Sequence, residues 1–111
     1  MFNDILVFAW NESALGPLSM ETIQRQHVPL EDYRVSRYQY PPNTTFKGAM
    51  QTGMVYVLQG ECVYNYPQSA VIRLRHGQYA KLPAGEYELI VSDAGELVIV
   101  LAWHIPSAIA P

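Results

Sequence analysis

The chain has 111 residues, of which half are apolar or aromatic, and its net charge is −3. This length and composition predict one domain over residues 1–111 with one hydrophobic core, and disfavour disorder. Acidic and basic residues are scattered without a basic stripe, so nucleic-acid binding is disfavoured. Cys62 is the one cysteine of the sequence, which excludes an intrachain disulfide and a zinc site built from several cysteines.

The first 32 residues differ from the rest of the chain and predict an N-terminal arm. Within the arm, Ile5 to Trp10 is typical of an edge strand, and Ser19 is a candidate N-cap for a helical turn over residues 18–26. No arginine or lysine precedes Arg25, whereas a secretory signal begins with basic residues. No apolar run approaches the roughly 20 residues of a membrane span. We therefore expect a cytoplasmic protein that does not bind membranes.

The segment from about residue 33 to residue 104 predicts an all-β barrel or sandwich. Short apolar segments alternate there with turn signals such as Pro41-Pro42-Asn43, Gln59-Gly60 and Pro83-Ala84-Gly85. Several short strands at this spacing are typical of sandwiches and barrels. The predicted strands cover residues 33–40, 53–58, 61–66, 70–75, 78–82, 86–91 and 96–103. The tail over residues 105–111 is expected to be loosely held.

Two of these segments, residues 54–58 and 97–101, are apolar on both faces. A strand of a small sandwich normally shows one face to water, so an apolar outer face needs a cover. In so short a chain we expect that cover to be a second copy, which predicts a homodimer through the outer face of one sheet. The N-terminal strand could pair across the same interface and protect a sheet edge.

A group of turn residues after the central strands has the spacing of a known motif. Gly77, Pro83 and Gly85 are followed by Glu88 and Ser92. This segment resembles the second motif of the cupin superfamily, G-x5-P-x-G-x2-H-x3-N. Glu88 stands where that motif has its histidine, and Ser92 stands where it has its asparagine.

The hairpin that turns at Gly60 is similar to the end of the first cupin motif, which reads G-x5-H-x-H, then three or four residues, then E-x6-G. In this register Gly53 stands at the glutamate of the motif. The two histidine positions are taken by other residues: Phe46 and Gly48, or Lys47 and Ala49 with the shorter spacing. The resemblance extends from about Tyr38 to Trp103 and implies an all-β, single-domain jelly-roll of the cupin type.

The metal site of that family has no counterpart in the motif positions. Cupin metals require imidazole and carboxylate ligands in one place, and of the four expected positions only Glu88 can coordinate. His76 is interpreted as a solvent-facing turn residue, and His27 lies in the less regular arm. His104 shares a strand face with Val98, Val100 and Ala102 and could look into the barrel mouth, where it would join Glu88. We expect no metal and no other cofactor.

A cupin barrel without metal still has an open mouth in which a small molecule could bind. Alternation along the strand places Gly53 and Val55 inward, and Gly48 and Gly53 would leave space that Phe46 partly refills. Strand 33–40 turns either Tyr38 and Tyr40 or Arg37 and Gln39 towards the mouth. Both alternatives stay open, because the Pro41-Pro42 turn interrupts the alternation of inward and outward side chains. The candidate ligand-binding residues are Tyr38, Tyr40, Phe46, Gly48, Gln51, Gly53, Val55 and Glu88.

These residues support three hypotheses of function. The first is a metal-independent cupin that binds an apolar or aromatic small molecule, in sensing, in regulation or as an accessory in small-molecule metabolism. The second is a metal-free cupin enzyme of the isomerase, dehydratase or cyclase type, with Glu88 as its acid or base and His104 or a tyrosine as its partner. The third is a structural dimer module whose barrel is filled. Glu88 is the one titratable residue at a motif position, which favours the first.

Overall fold

The computed structural model describes residues 5–67 and 70–104. The described part contains nine strands, two short α-helices and one 3-10 turn. The N-terminal arm contains strand β1, helices α1 and α2 and the 3-10 turn: Val7–Ala9, Glu12–Leu15, Met20–Gln26 and Leu30–Asp32. The remaining strands, β2 to β9, are Tyr33–Tyr40, Thr45–Met50, Gly53–Gln59, Glu61–Tyr66, Ala70–Arg75, Gln78–Leu82, Gly85–Val91 and Leu97–His104.

The strands form two antiparallel sheets that pack face to face. The five-stranded sheet has the order β1-β7-β4-β9-β2, and the four-stranded sheet has the order β3-β8-β5-β6. The main core lies between the sheets, since inward residues of both sheets are fully buried there, among them Tyr64, Leu89, Val57 and Ile99. This is the all-β jelly-roll arrangement that the sequence predicts.

The turn after β4 shows why the motif ends on a glycine. Gly60 has a φ of +88°, which residues with a side chain rarely adopt. A Cβ atom there would lie 2.4 Å from the backbone oxygen of Glu96. Backbone conformation and close approach of the neighbouring chain therefore both require glycine at this turn.

The seven strands predicted from residue 33 onward are all present, and the structure adds β3. The segment Thr45–Met50 has mixed polarity and an internal glycine, so it carries no clear strand pattern, and it lies at an edge of the four-stranded sheet. The predicted N-terminal edge strand is confirmed, because β1 pairs with β7 at the edge of the five-stranded sheet. The described part of the arm, residues 5–32, is thus partly built into the barrel. The predicted tail, residues 105–111, lies outside the described residues.

The outer face of the five-stranded sheet is covered by the arm. Trp10 and the fully buried Ile23 pack there against Tyr56, Val100 and Ala102. Helix α2 begins at the predicted cap, where the Ser19 hydroxyl accepts a hydrogen bond from the backbone N–H of Thr22 at 3.2 Å. The expected cover for this apolar face was a second copy of the chain, and the structure shows that the chain's own arm covers it. The homodimer itself stays a prediction.

In the part of the chain that the structure describes, no helix has the length and apolar character needed to cross a membrane.

Candidate functional site

A cavity of about 530 Å³ opens at one end of the barrel, and we call it the mouth. Its volume lies in the range of small-molecule pockets. The described residues that line it are aromatic, aliphatic or amide side chains, and none carries a charge: Tyr38, Tyr40, Phe46, Ala49, Met50, Gln51, Tyr87, Leu101 and Trp103. Five of the nine are aromatic, so the mouth offers flat apolar walls and hydroxyl groups.

Strand β2 contributes its tyrosines to the mouth. Tyr38 and Tyr40 are half-buried, while Arg37 and Gln39 on the other face are exposed and form a hydrogen bond with each other, from Nη1 to Oε1 at 3.2 Å. The alternative that the Pro41-Pro42 turn left open is therefore resolved in favour of the two tyrosines.

The opposite wall of the mouth is formed where β3 pairs with β8. Gly48 lies directly opposite Tyr87 in this ladder. The rings of Phe46 and Tyr87 approach within 6.3 Å of each other, measured between centroids, and Tyr40 lies 6.2 Å from Phe46. Gly48 adds no side chain of its own, so the space that the sequence suggested at this position is occupied by its aromatic neighbours.

Behind this wall lies a group of buried tyrosines. The Tyr87 ring lies 5.4 Å from the Tyr64 ring and 6.1 Å from the Tyr66 ring. Burial raises the pKa of Tyr66 to about 12, with the nearby Tyr87 adding to the effect. Burial also raises the pKa of Tyr40 and of Tyr87, and neighbouring tyrosines contribute in each case. These phenols are neutral at physiological pH and can both donate and accept hydrogen bonds.

Glu88 does not face the barrel interior. On β8 the inward positions belong to Tyr87, Leu89 and Val91, and Glu88 lies on the outer face of the four-stranded sheet beside Lys47. The prediction followed the motif spacing, whereas the alternation of apolar residues along the strand decides its faces. The residue that lines the mouth is the preceding Tyr87.

His104 faces the other side of the molecule. Its strand face, shared with Val98, Val100 and Ala102, is the outer face of the five-stranded sheet, and the His104 ring packs edge-on against Tyr33 at 5.3 Å. The expectation that His104 could look into the mouth is therefore wrong. Since Glu88 lies on the outer face of one sheet and His104 on that of the other, the two cannot act on one substrate.

The inward residues of β4 do not line the mouth. Val55 is fully buried in the core between the sheets. Gly53 is also buried, and a Cβ atom there would lie 2.9 Å from the backbone oxygen of Ala102, so its absent side chain allows close packing of strands rather than space for a ligand. Of the eight candidate ligand residues, those that line the mouth are Tyr38, Tyr40, Phe46 and Gln51.

Five mouth residues were not singled out from the sequence as ligand residues: Ala49, Met50, Tyr87, Leu101 and Trp103. Tyr87 could have been found from the alternation that it shares with Leu89 and Val91. Leu101 and Trp103 point inward on the last strand, as Ile99 does. Apolar residues in such a pattern are expected in the core, so the sequence does not mark them as ligand residues. Met50 belongs to the strand that the sequence did not predict.

The residues present do not fit the metal that many cupins hold. Of the motif positions, those that face inward hold Phe46, Gly48 and Gly53, which supply neither imidazole nor carboxylate. The one carboxylate at a motif position, Glu88, faces outward. Within residues 5–67 and 70–104, no three histidine, cysteine or acidic side chains come together. His27, at the end of helix α2, is buried with its Nε2 atom 2.8 Å from the Tyr56 hydroxyl.

A second cavity, of about 510 Å³, lies on the outer face of the four-stranded sheet. Its side chains include the exposed Arg73, Arg75 and Glu61, which are solvated on an open sheet surface. The mouth is the stronger candidate because aromatic walls from both sheets converge on it.

No protein-family model matches this sequence, and no curated protein matches it. Solved structures do match its fold. A cupin superfamily protein from Desulfitobacterium hafniense has a TM-score of 0.55 at 16% identity over 95% of this chain and 81% of its own. A cupin domain from Bordetella pertussis has a TM-score of 0.54 at 22% identity, over 66% of this chain and 81% of its own.

The polyketide cyclase RemF from Streptomyces resistomycificus has a TM-score of 0.54 at 14% identity. The match covers 63% of this chain and about half, 52%, of RemF. At such identities the likeness concerns the fold alone. Together with the two sheets and the turn motif, these structures show that the chain has the fold of the cupin superfamily.

Proposed function

We propose that the protein binds a small molecule with a flat, apolar or aromatic body in the mouth of its barrel, without the help of a metal. The observation that carries the proposal is the composition of the mouth, in which Tyr38, Tyr40, Phe46, Tyr87 and Trp103 surround a cavity of about 530 Å³. Aromatic side chains bury large areas and favour stacked or edge-on contacts with other rings.

The absence of charge among the described lining residues defines the ligand further. A charged ligand would lose its hydration in the mouth without meeting an opposite charge, and this is costly. Phenol hydroxyls and the Gln51 amide can instead satisfy the carbonyl or hydroxyl groups of a neutral molecule. Cupin-fold proteins include RemF, a polyketide cyclase; the composition of the mouth, rather than this likeness, supports the proposal here.

An acid–base enzyme that uses Glu88 with His104 is not supported, because these two residues lie on opposite outer faces of the molecule. The alternative of a filled barrel holds for the depth of the barrel, where Val55 and Val57 are fully buried, but not for its mouth. Binding is therefore the function that the geometry supports best.

The test is isothermal titration calorimetry with acetylnaphthalene, a neutral bicyclic aromatic ketone. Binding to the wild type should be lost or strongly weakened in Trp103→Ala and unchanged in Glu88→Gln, because Trp103 lines the mouth and Glu88 does not. Equal affinity in Trp103→Ala, with Glu88→Gln as the matched control, would place binding elsewhere and contradict the proposal.

Metal independence has its own test. Elemental analysis of the protein, purified without a tag or a chelator, should give far less than one metal per chain, and the calorimetric affinity should not change on addition of a chelator. Close to one transition metal per chain would contradict the metal-free site.

A further inference from the structure

Two phenols reach the mouth from opposite sheets. Tyr40 lies on β2 of the five-stranded sheet, and Tyr87 lies on β8 of the four-stranded sheet. Both adjoin the ring of Phe46, whose centroid lies 6.2 Å from that of Tyr40 and 6.3 Å from that of Tyr87. All three side chains line the cavity of about 530 Å³. A ligand that fills the mouth therefore contacts both phenols.

The hydroxyls of Tyr40 and Tyr87 are accessible and unpaired. Within residues 5–67 and 70–104, neither hydroxyl has a hydrogen-bond partner, and neither is shielded from solvent, whereas the unpaired hydroxyl of Tyr66 is shielded. The Tyr87 hydroxyl lies over the inner side of β3, because a Cβ atom on Gly48 would come within 3.1 Å of it. A ligand that covers these hydroxyls displaces the water around them, so it must replace the hydrogen bonds that the water provides.

Both phenols are hydrogen-bond donors at physiological pH. Burial raises the pKa of Tyr40, and among its neighbours Tyr87 adds most to this rise. Burial also raises the pKa of Tyr87, with Tyr38 adding to the effect. Such effects arise between phenol oxygens that lie near one another. Each neutral phenol can donate one hydrogen bond, and a carbonyl oxygen, which has two lone pairs, can accept both.

We infer that Tyr40 and Tyr87 determine the specificity of the mouth by donating hydrogen bonds to one carbonyl oxygen of a planar aromatic ligand. This inference rests on the proposed function of the mouth and names its ligand class, an aryl ketone or quinone. A site that hydrogen-bonds a ligand oxygen rejects the analogue without that oxygen, because the polar groups of the site would then stay unpaired. The preference for a carbonyl over a hydrocarbon therefore measures the role of the two phenols.

The experiment compares acetylnaphthalene with ethylnaphthalene substituted at the same ring position, because the two probes differ mainly in the carbonyl oxygen. Calorimetry gives the ratio of the two affinities for the wild type, for Tyr40→Phe, for Tyr87→Phe and for the double variant. Tyr79→Phe, which removes a hydroxyl on the outer face of the five-stranded sheet, is the matched control. Ethylnaphthalene cannot accept a hydrogen bond, so its affinity reports whether the aromatic walls of each variant are intact.

Each single variant should lower the preference for the ketone about fivefold relative to the wild type, as expected for the loss of one hydrogen bond. The double variant should lower it about 25-fold, and Tyr79→Phe should leave it unchanged. Infrared spectroscopy of bound acetylnaphthalene provides a readout that packing alone would not change. Its carbonyl stretching band should lie below the position seen in a hydrocarbon solvent, and it should shift upward in each single variant.

Two results would refute the role of the phenols while the mouth stands. One is an unchanged ketone preference in either single variant that still binds ethylnaphthalene. The other is a carbonyl band of the wild-type complex at its position in a hydrocarbon solvent. If the wild type binds neither probe, the proposed function falls and this inference falls with it.

Discussion

Gly48 lies directly opposite Tyr87 in the β3–β8 ladder, and a Cβ atom on Gly48 would come within 3.1 Å of the Tyr87 hydroxyl. The same atom would come within 2.9 Å of Cε2 of Phe46. The missing side chain therefore lets two aromatic rings close over an edge strand, and one wall of the mouth depends on it.

The first prediction concerns this contact. Gly48→Ala should lower the free energy of unfolding by about 1–3 kcal/mol, because one methyl group must be accommodated between two packed rings. It should also weaken acetylnaphthalene binding, since Phe46 and Tyr87 are displaced. Urea denaturation and calorimetry measure the two effects. Gly95→Ala is the matched control, because a Cβ atom there meets nothing within 4 Å; an effect of equal size in both variants would show that the contact at Gly48 is not responsible.

The second prediction concerns the arm. Ile23 is fully buried between helix α2 and the outer face of the five-stranded sheet. Ile23→Ala should destabilise the protein by about 2–5 kcal/mol, as expected for a buried aliphatic residue cut back to alanine. Leu15→Ala, at a half-exposed position of helix α1, should change stability by less than about 0.5 kcal/mol. Similar losses in the two variants, by denaturant titration, would mean that the arm is not docked as described.

The third prediction concerns pH. Burial lowers the pKa of His27 below the ordinary value of 6.5. The unfolded chain therefore binds a proton on this histidine at a higher pH than the folded one. The stabilisation that comes from keeping His27 neutral is complete above 6.5, and it is lost as the pH falls from 6.5 towards the lowered folded-state pKa.

This dependence can be assigned to one residue by substitution. His27→Gln keeps a hydrogen-bonding group near the Tyr56 hydroxyl but does not titrate, so its unfolding free energy should fall less steeply than that of the wild type between about pH 7 and pH 5. Gln26→Asn, at the exposed last position of helix α2, is the matched control without a titratable group and should retain the wild-type slope. An unchanged slope in His27→Gln would remove His27 as the source.

The fourth prediction concerns self-association. Strand β1 is an edge strand, and its free edge adjoins exposed apolar side chains, with Leu6 65% and Phe8 45% exposed. Since an uncovered apolar edge invites strand pairing, we expect a homodimer in which two β1 strands pair antiparallel across a two-fold axis. Light scattering at micromolar concentration should give twice the chain mass. Leu6→Lys should give the monomer mass. Val71→Lys, at a similarly exposed position of β6, should keep the dimer mass. The monomer mass for the wild type would contradict the homodimer.

The fold could be predicted from the sequence because its turns are chemically specific. Gly60, Gly77 and Gly85 have positive φ angles in the structure, and Pro83 lies between the last two, so the spacing of these residues constrains where strands begin and end. Strand β3 escaped prediction because an exposed edge strand with an internal glycine needs little apolar alternation. The packing of the arm on the outer face of the five-stranded sheet was also not predicted, because it depends on two residues that are well separated in the sequence, Trp10 and Ile23.

The site was predicted only in part, because motif spacing and apolar alternation indicate different orientations for the residues of β8. The aromatic residues Tyr38, Tyr40 and Phe46 were identified, but Glu88 was assigned inward from motif spacing although Tyr87, Leu89 and Val91 form the apolar alternation of that strand. Where the two signals disagree, burial decides the orientation, because a strand in a sandwich must bury its apolar face. The pairing of Tyr66 with Tyr87 depends on register between distant strands, which no local pattern contains.

The two tryptophans of the chain offer the most direct test of the central claim, that the mouth binds a small aromatic molecule. Trp103 lines the mouth, whereas Trp10 lies on the outer face of the five-stranded sheet with its indole N–H donating to the backbone oxygen of Gly16 at 2.8 Å. The measurement is the NMR chemical shift of both indole N–H groups during titration with acetylnaphthalene. A saturable shift of the Trp103 resonance with an unchanged Trp10 resonance is the predicted result. No shift at Trp103, or a shift confined to Trp10, would contradict binding in the mouth.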